Sequence, residues 1–299
     1  MDESCPICHT KGRIIRSHLT NDGHPVRIFY CRSCQYYWLD PKKLKIANIG
    51  NYLDLLESVK TVRNINNQRI LDVLDQLFVK KQNVQGLEVG SATGSFLRAS
   101  EMYERFHFTG IEPMVESYNI CIQQGLNCIN GMFPDDLPKE IGEFDLIVFN
   151  DVFEHIPDSS SLIEKCVKLL NNDGVIVINC PVNSGVLFHI GKALDKIHVS
   201  GAFNRLWQLN TSSPHLHYFS QKALVRLMEM SGFKLVRKPL KMLDLDKNTI
   251  ANRVRAVPMD KIQAEIFITG LNVFFPYLKF FPNDTKCYIF KKTSSVKES

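Results

Sequence analysis

Short, almost wholly apolar runs alternate along the chain with longer stretches whose apolar residues recur every three or four positions. The apolar runs are Val84 to Val89, Phe106 to Ile111, Leu126 to Asn130, Phe144 to Phe149, Val175 to Cys180, Phe233 to Arg237 and Cys287 to Lys291. Runs of this length and composition predict buried strands. Helical spacing predicts helices over Ser95 to Arg105, Val115 to Gln124 and Leu162 to Leu170, with a shorter link after Gly131. Alternation of this kind gives an α/β fold: a doubly wound, mostly parallel seven-stranded sheet covered on both faces. Upstream, Tyr52 to Lys81 reads as helical, with Ile70, Val73, Leu74, Leu77 and Phe78 on one face that would cover the sheet. Downstream, Leu224, Leu227 and Met228 form the buried stripe of a helix capped by Ser220 and ended by Gly232.

On a sheet of this class, ligands bind outside the carboxyl ends of the strands. The first strand closes on Glu88 and passes through a turn of small residues, Gly90, Ser91, Ala92 and Gly94, into the helix opening at Ser95. Small residues let the backbone approach a ligand, and a helix N-terminus offers free N–H groups. Glu112 ends the second strand about twenty residues further on, where a carboxylate can accept from a ribose diol. The turn reads Gly90-x-Ala92-x-Gly94 and departs from the G-x-G-x-x-G pattern that cradles a pyrophosphate. A ligand carrying one nucleoside fits it better than a dinucleotide.

Four of the nine cysteines change the picture at the N-terminus. Cys5-Pro-Ile-Cys8 and Cys31-Arg-Ser-Cys34 are two C-x-x-C knuckles flanking the strand-like Val26, Ile28, Phe29 and Tyr30. Four thiolates at this spacing close a tetrahedron around Zn²⁺ and leave no open position, so the site reads as structural. Cys8-His9 completes a C-x-x-C-H haem pattern, but the second knuckle argues against it. A redox dithiol is a further rival, yet no βαβ pattern surrounds either knuckle. Tyr36, Tyr37 and Trp38 would dock this small module on the main domain, and Pro41 breaks the chain into a polar connector. Cys121, Cys128, Cys166, Cys180 and Cys287 lie in apolar segments and read as core residues.

Composition then sets limits. At 299 residues and 44% hydrophobic, the chain can bury one large core and a small module. A formal charge of +5 with no arginine-rich stripe permits an acidic small substrate and argues against nucleic acid as partner. The acidic start Met-Asp-Glu-Ser lacks the form of a signal peptide, and no apolar run reaches a membrane span, so a cytoplasmic protein is expected. The Phe- and Ile-rich segment from Ile262 to Phe281 carries few cations, which favours a packed helix or a dimer surface over membrane contact. The oligomeric state stays open.

Glu88-Val-Gly-Ser-Ala-Thr-Gly94, Ile111-Glu-Pro113 and Phe144-Asp-Leu-Ile-Val-Phe-Asn-Asp-Val-Phe-Glu-His-Ile-Pro-Asp158 together resemble the class I S-adenosylmethionine-dependent methyltransferases, a Rossmann-like fold. The knuckles followed by Tyr-Tyr-Trp-Leu-Asp-Pro resemble the zinc ribbon fused to some members, sugar methyltransferases among them. The resemblance implies S-adenosylmethionine and a structural Zn²⁺ held by Cys5, Cys8, Cys31 and Cys34. It places Glu88 and Gly90 at the methionine end of the cofactor with Ala92 and Gly94 in the same cofactor-binding turn, Glu112 on the ribose, Gly131, Met132 and Phe133 near the adenine, and Asn150 and Asp151 at the amino-acid part. Ala92 stands where a glycine is usual. His215 and His217, in Ser213-Pro-His-Leu-His-Tyr-Phe-Ser220, are the first candidates for a general base, and His155 is a third. If the segment is extended, both its imidazoles point to one side. Metal binding by this pair lacks a nearby carboxylate pair.

The expected organisation is therefore a zinc ribbon over 1–41, a connector and covering helix over 42–83, and a methyltransferase domain over 84–299. A lid insertion over about 182–212, carrying Phe188, His189, Leu194, Phe203, Leu206 and Trp207, would shape the acceptor site. The expected function is methyl transfer to a small-molecule acceptor, a sugar or glycan-precursor hydroxyl or carbon. The rivals are a nucleic-acid base methyltransferase and a catalytically silent cofactor-binding module that docks a partner.

Overall fold

A computed structural model describes residues 3–19, 25–40, 60–196, 206–209, 213–242, 265, 268–270, 273 and 282–293. The connector after Pro41, the middle of the 182–212 insertion with Phe203, most of 262–281 and the tail after Thr293 lie outside the described residues.

The large sheet is built from β4 (Val84–Val89), β5 (Phe106–Glu112), β6 (Cys128–Asn130), β7 (Phe144–Asn150), β8 (Leu170–Pro181), β10 (Phe233–Leu235) and β12 (Thr285–Lys292). Its order is β10-β12-β8-β7-β4-β5-β6, and β11 (Leu240–Lys241) pairs with β12. The strands from β6 through β8 pair parallel, and β12 runs antiparallel between β8 and β10. This is the doubly wound sheet that the alternating pattern predicts, and its strand order reverses between β4 and β7, the place where ligands bind on sheets of this class.

Both faces of the sheet are covered, so its central strands carry no polar alternation. Every residue of β7 is buried. Its one charged member, Asp145, accepts from the backbone N–H of Gln85 (2.9 Å) and the amide of Asn171 (2.7 Å) and pairs with Lys81. One apolar layer joins α1 (Lys60–Leu77), through Ile70, Leu71 and Leu74, to Phe96, Phe106, Leu146 and Val177. The helices α2 (Ser95–Ser100) and α3 (Val115–Gln123) follow β4 and β5, and α4 (Ser159–Leu169) precedes β8. Asp158 caps α4 by accepting from Ser161 N–H at 3.0 Å. Ser220 caps α6 (Gln221–Met230) by accepting from Ala223 N–H at 2.9 Å. All five cysteines outside the knuckles are buried, as expected of core residues.

The N-terminal strands β1 (Arg13–Leu19), β2 (Pro25–Cys31) and β3 (Tyr36–Leu39) form a second sheet, and its fourth strand is β9 (His217–Tyr218) from far along the chain. Alternation along β2 and β3 splits this sheet into two buried faces. Phe29, Tyr36 and Trp38 share one apolar layer with Phe149, Phe153 and Phe219. Val26, Ile28, Tyr37 and Leu39 share another with Phe188 of α5 (Val186–Lys196), Trp207 and Leu209. Helix α5 and residues 206–209 of the 182–212 insertion thus lie on the N-terminal sheet, tied by Lys192 Nζ donating to the Tyr37 hydroxyl (2.7 Å) and by an Arg16–Asp195 ion pair.

Candidate functional site

The turn after β4 takes the left-handed conformation at alternate positions, with φ of 69° at Gly90, 47° at Ala92 and 79° at Gly94. Glycine adopts this freely, whereas alanine does so at a cost of about 1 kcal/mol. At Gly90 the close approach matters as well, because a Cβ there would stand 2.7 Å from Val152 Cγ2. The turn is fixed by the next strand. Gly90 N–H donates to Ile111 O (2.8 Å), and the buried Glu112 accepts from Ala92 N–H through Oε2 (2.8 Å) and from Met114 N–H through Oε1 (2.9 Å). Burial pushes the Glu112 carboxyl up, and these two amides oppose that. Glu88 lies buried beside the turn with its Oε2 lacking a partner, and burial raises its carboxyl well above the usual range against the pull of Arg63.

Asn150 and Asp151 stand at the end of β7 within a polar network. Asn67 Oδ1 accepts from Asn150 Nδ2 (2.9 Å), Asn150 Oδ1 from Asn179 Nδ2 (2.8 Å), and Asp151 Oδ1 from Asn179 Nδ2 (3.2 Å). Asn67 also donates to Ser95 Oγ at the start of α2 (3.2 Å), and Arg63 Nη2 lies 3.4 Å from Asp151 Oδ2. Four segments thereby meet at the carboxyl end of β7. Of the third-strand residues, Met132 is largely exposed, while Phe133 packs edge-on against Phe149. The residues Arg63, Asn67 and Asn179 carry much of this network and are absent from the sequence expectations. A signal for the first two exists: Val62, Arg63, Asn66 and Asn67 continue the stripe of Ile70, Leu71 and Leu74 by one and two turns toward the N-terminus.

A second cluster forms where the turn Phe153–His155 meets the segment before β9. Glu154 Oε1 lies 3.9 Å from His155 Nε2 and 4.0 Å from His215 Nε2, and the buried Glu154 Oε2 has no partner. The two imidazoles stand 4.9 Å apart between centroids. Burial, joined by the charge of Asp151, holds the Glu154 carboxyl well above its usual range. Burial lowers His155, and burial together with His155 lowers His215. His155 Nδ1 meets Pro214 O (2.8 Å), leaving Nε2 toward Glu154. His215 uses Nδ1 toward the Tyr218 hydroxyl (3.2 Å) and Nε2 toward Gln208 of the 182–212 insertion (2.9 Å).

His217 differs from both. Its Nδ1 meets the Tyr36 hydroxyl, and its Nε2 lies 2.7 Å from Ile156 O. The two imidazoles of the His-x-His segment therefore take different partners instead of facing one site together. Regular strand begins only at His217, so the alternation behind that expectation does not reach His215.

The four knuckle sulfurs all lie within 4.8 Å of one another, and Cys8 Sγ is 3.5 Å from Cys31 Sγ. A zinc tetrahedron with bonds of ~2.3 Å has edges of ~3.8 Å, so the donor set fits such an ion. The residue after each knuckle is left-handed, His9 at 57° and Gln35 at 51°. Each knuckle thus folds its chain back in the same way. Burial pushes the Cys34 thiol up to about 12. Against the same effect, Cys8 is drawn down to about 6 by Thr10 and the neighbouring thiols.

Comparison with known proteins agrees with this geometry. A family model described as a methyltransferase domain matches residues 62–238. The ubiquinone biosynthesis O-methyltransferase of Vibrio parahaemolyticus serotype O3:K6 is 28% identical over 147 residues, covering 46% of this chain and 60% of that protein. Its counterpart in Pasteurella multocida is 27% identical over 165 residues, covering 52% and 64%. The chain thus spans less than two thirds of the length of these curated relatives. Among solved structures, a plantazolicin methyltransferase in complex with SAH superposes with a TM-score of 0.51 at 16% identity, covering 85% of this chain and 91% of that one. A possible histamine N-methyltransferase from Thermotoga maritima gives 0.50 at 13% identity, covering 81% and 94%. At such identities these two show the fold alone. With the family model covering more than half of its residues, the chain belongs to the class I S-adenosylmethionine-dependent methyltransferases.

Proposed function

We propose that this protein transfers a methyl group from S-adenosylmethionine to a small-molecule acceptor, a hydroxyl or carbon of a sugar or glycan precursor. The observation that carries the reading is the pairing of two buried carboxylates, Glu88 and Glu112, at the ends of adjacent strands on either side of a left-handed turn. When bound, the cofactor supplies an activated methyl group on a sulfonium that leaves readily. Glu88 and Gly90 would line its methionine end with Ala92 and Gly94 in the same turn, Glu112 its ribose and Phe133 with Met132 its base. The unpartnered Glu88 oxygen fits a ligand that brings a donor or a positive charge.

The protein's remaining task is to align the acceptor and take its proton. His155 and His215 suit that task, since burial disfavours the charged form of both and Glu154 lies beside each. His217, which ties the Tyr36 hydroxyl to the Ile156 carbonyl, serves as a brace rather than a base. The four cysteines hold a structural Zn²⁺. The zinc ribbon is organised with β9 as its fourth strand, so its boundary with the methyltransferase domain runs through a shared sheet. The sugar-related acceptor rests on the likeness of the Cys-rich N-terminus to the ribbon of sugar methyltransferases.

Calorimetry with S-adenosylhomocysteine should give saturable binding, followed by turnover on a panel of nucleotide-linked sugars. Salt-dependent binding of RNA would favour the nucleic-acid alternative. Tight cofactor binding without turnover on any acceptor trapped from lysate would favour the silent module.

A further inference from the structure

We propose that Tyr36, although it lies in the cysteine module, is a positioning residue of the acceptor site: its hydroxyl holds His217, and His217 holds the turn that carries Glu154 and His155. The inference rests on the methyltransferase reading only in taking Glu154, His155 and His215 as the acceptor side.

Hydrogen-bond chemistry assigns the direction. Nε2 of His217 lies 2.7 Å from Ile156 O, and a carbonyl can only accept, so Nε2 carries the proton. In the neutral ring Nδ1 is then the bare nitrogen, and the Tyr36 hydroxyl must donate to it. One tautomer is fixed from both ends. Ile156 follows directly on the turn Phe153–His155, so the held carbonyl belongs to the segment bearing Glu154 and His155.

The main chain repeats the same linkage. Leu216 N–H donates to Glu154 O (2.8 Å), and Leu39 N–H donates to Leu216 O (2.9 Å). Trp38 pairs with His217 across β3 and β9. The second knuckle is gripped from the other side: Ser220 Oγ donates to Cys34 O (2.6 Å) and Asn183 Nδ2 to Gln35 O (2.6 Å). Knuckle, β9 and the Glu154–His155 turn are therefore linked by a continuous set of hydrogen bonds.

Packing does not require the hydroxyl. Tyr36 stacks on Trp38 at 5.4 Å and on Phe219 at 5.2 Å between centroids, contacts a phenylalanine ring would keep. What Tyr36→Phe removes is the donor to His217 and nothing else in the stack.

The test uses the full-length, zinc-loaded protein with 15N-labelled histidine, with and without S-adenosylhomocysteine as probe. His217 should show a neutral ring protonated at Nε2. Tyr36→Phe should shift the ring signals of His155 and His215 while affinity for the probe stays within about twofold of wild type. Tyr37→Phe removes a hydroxyl from the opposite face of β3 and should leave those signals in place. Unmoved His155 and His215 signals in folded Tyr36→Phe overturn the proposal, as does a His217 ring protonated at Nδ1. If Tyr36→Phe does not fold, Asn183→Ala loosens the same linkage from the main-chain side, and unmoved signals there overturn it equally. Failure of the wild type to bind the probe counts against the methyltransferase reading alone, because the ring signals are read without it.

Discussion

Ala92 and Glu112 are joined by a 2.8 Å hydrogen bond from the backbone N–H of the first to Oε2 of the second, across twenty residues of chain. The other carboxylate oxygen holds Met114 N–H. Glu112 therefore shapes the turn, and under the proposed ribose role its loss acts on turn and ligand alike. Glu112→Ala should weaken S-adenosylhomocysteine binding by about 10- to 100-fold, the worth of one or two charge-assisted hydrogen bonds. Glu112→Gln, which keeps one acceptor oxygen, should fall between. Calorimetric affinities equal to wild type would remove the ribose assignment.

Ala92 adopts a φ of 47°, so its side chain is tolerated there and not required. Ala92→Gly should keep binding within about threefold, with strain relief of about 1 kcal/mol offset by a freer unfolded chain. Ala92→Val places a branched side chain in the same conformation and should lower both melting temperature and affinity. Thermal melts with and without S-adenosylhomocysteine separate the two effects.

The cysteine module shares its apolar layer with Phe149, Phe153 and Phe219, so metal loss should be felt beyond the ribbon. Metal analysis should find about one zinc per chain. A strong chelator, or Cys34→Ser, should lower the melting temperature and red-shift the emission of the buried Trp38. Carefully handled protein without zinc would sink the structural site.

Burial holds the His217 imidazole down at about 4, against about 6.5 in an unfolded chain. The unfolded chain takes up a proton that the folded site refuses, so this contribution to stability is complete above about pH 6.5 and falls as pH drops toward 4. Its size is about 3 kcal/mol over that window. The raised carboxyls of Glu88 and Glu154 work in the opposite sense, losing stability as pH rises. A comparison of wild type with His217→Gln isolates the histidine. The variant's deficit in melting temperature should shrink between about pH 7.5 and about pH 4.5; a constant deficit would show that His217 is not held neutral by its site.

Asn67 bridges Asn150 and Ser95 from a helix whose remaining buried face is mostly apolar. Asn67→Ala leaves both partners short of a hydrogen bond and should cost about 2 kcal/mol. With an unfolding entropy of about 2.1 cal/mol/K per residue, that is a fall of about 3 °C in melting temperature. The loss of affinity for S-adenosylhomocysteine should exceed that of Asn127→Ala, whose exposed side chain bonds to the Thr109 hydroxyl.

The strands were readable because a sheet covered on both faces needs continuous apolar runs, and few other structures do. Val84 to Val89 is predicted and observed with the same ends. Phe144–Asn150 extends its expected strand by one residue, Asn150, which is also the residue that enters the network. The covering helix was legible as a helix, but its polar residues were not legible as part of a site. Asn67 looks like any surface asparagine until Asn150 and Asn179 are brought to it from strands that start more than seventy residues downstream.

By itself the sequence determined the alternation of strands and helices, the glycine turn with Glu112 at the next strand end, the two knuckles and the capped helix after Ser220. Each is a local property, set by spacing, side-chain size or backbone preference within one or two elements. The tertiary structure alone decided that β9 joins the N-terminal sheet, that Tyr36 meets His217, and that Glu154 lies beside both His155 and His215. Those pairings join residues up to 181 positions apart. They arise because burying the two faces of the ribbon sheet and the end of β7 together forces the polar groups trapped there to find one another.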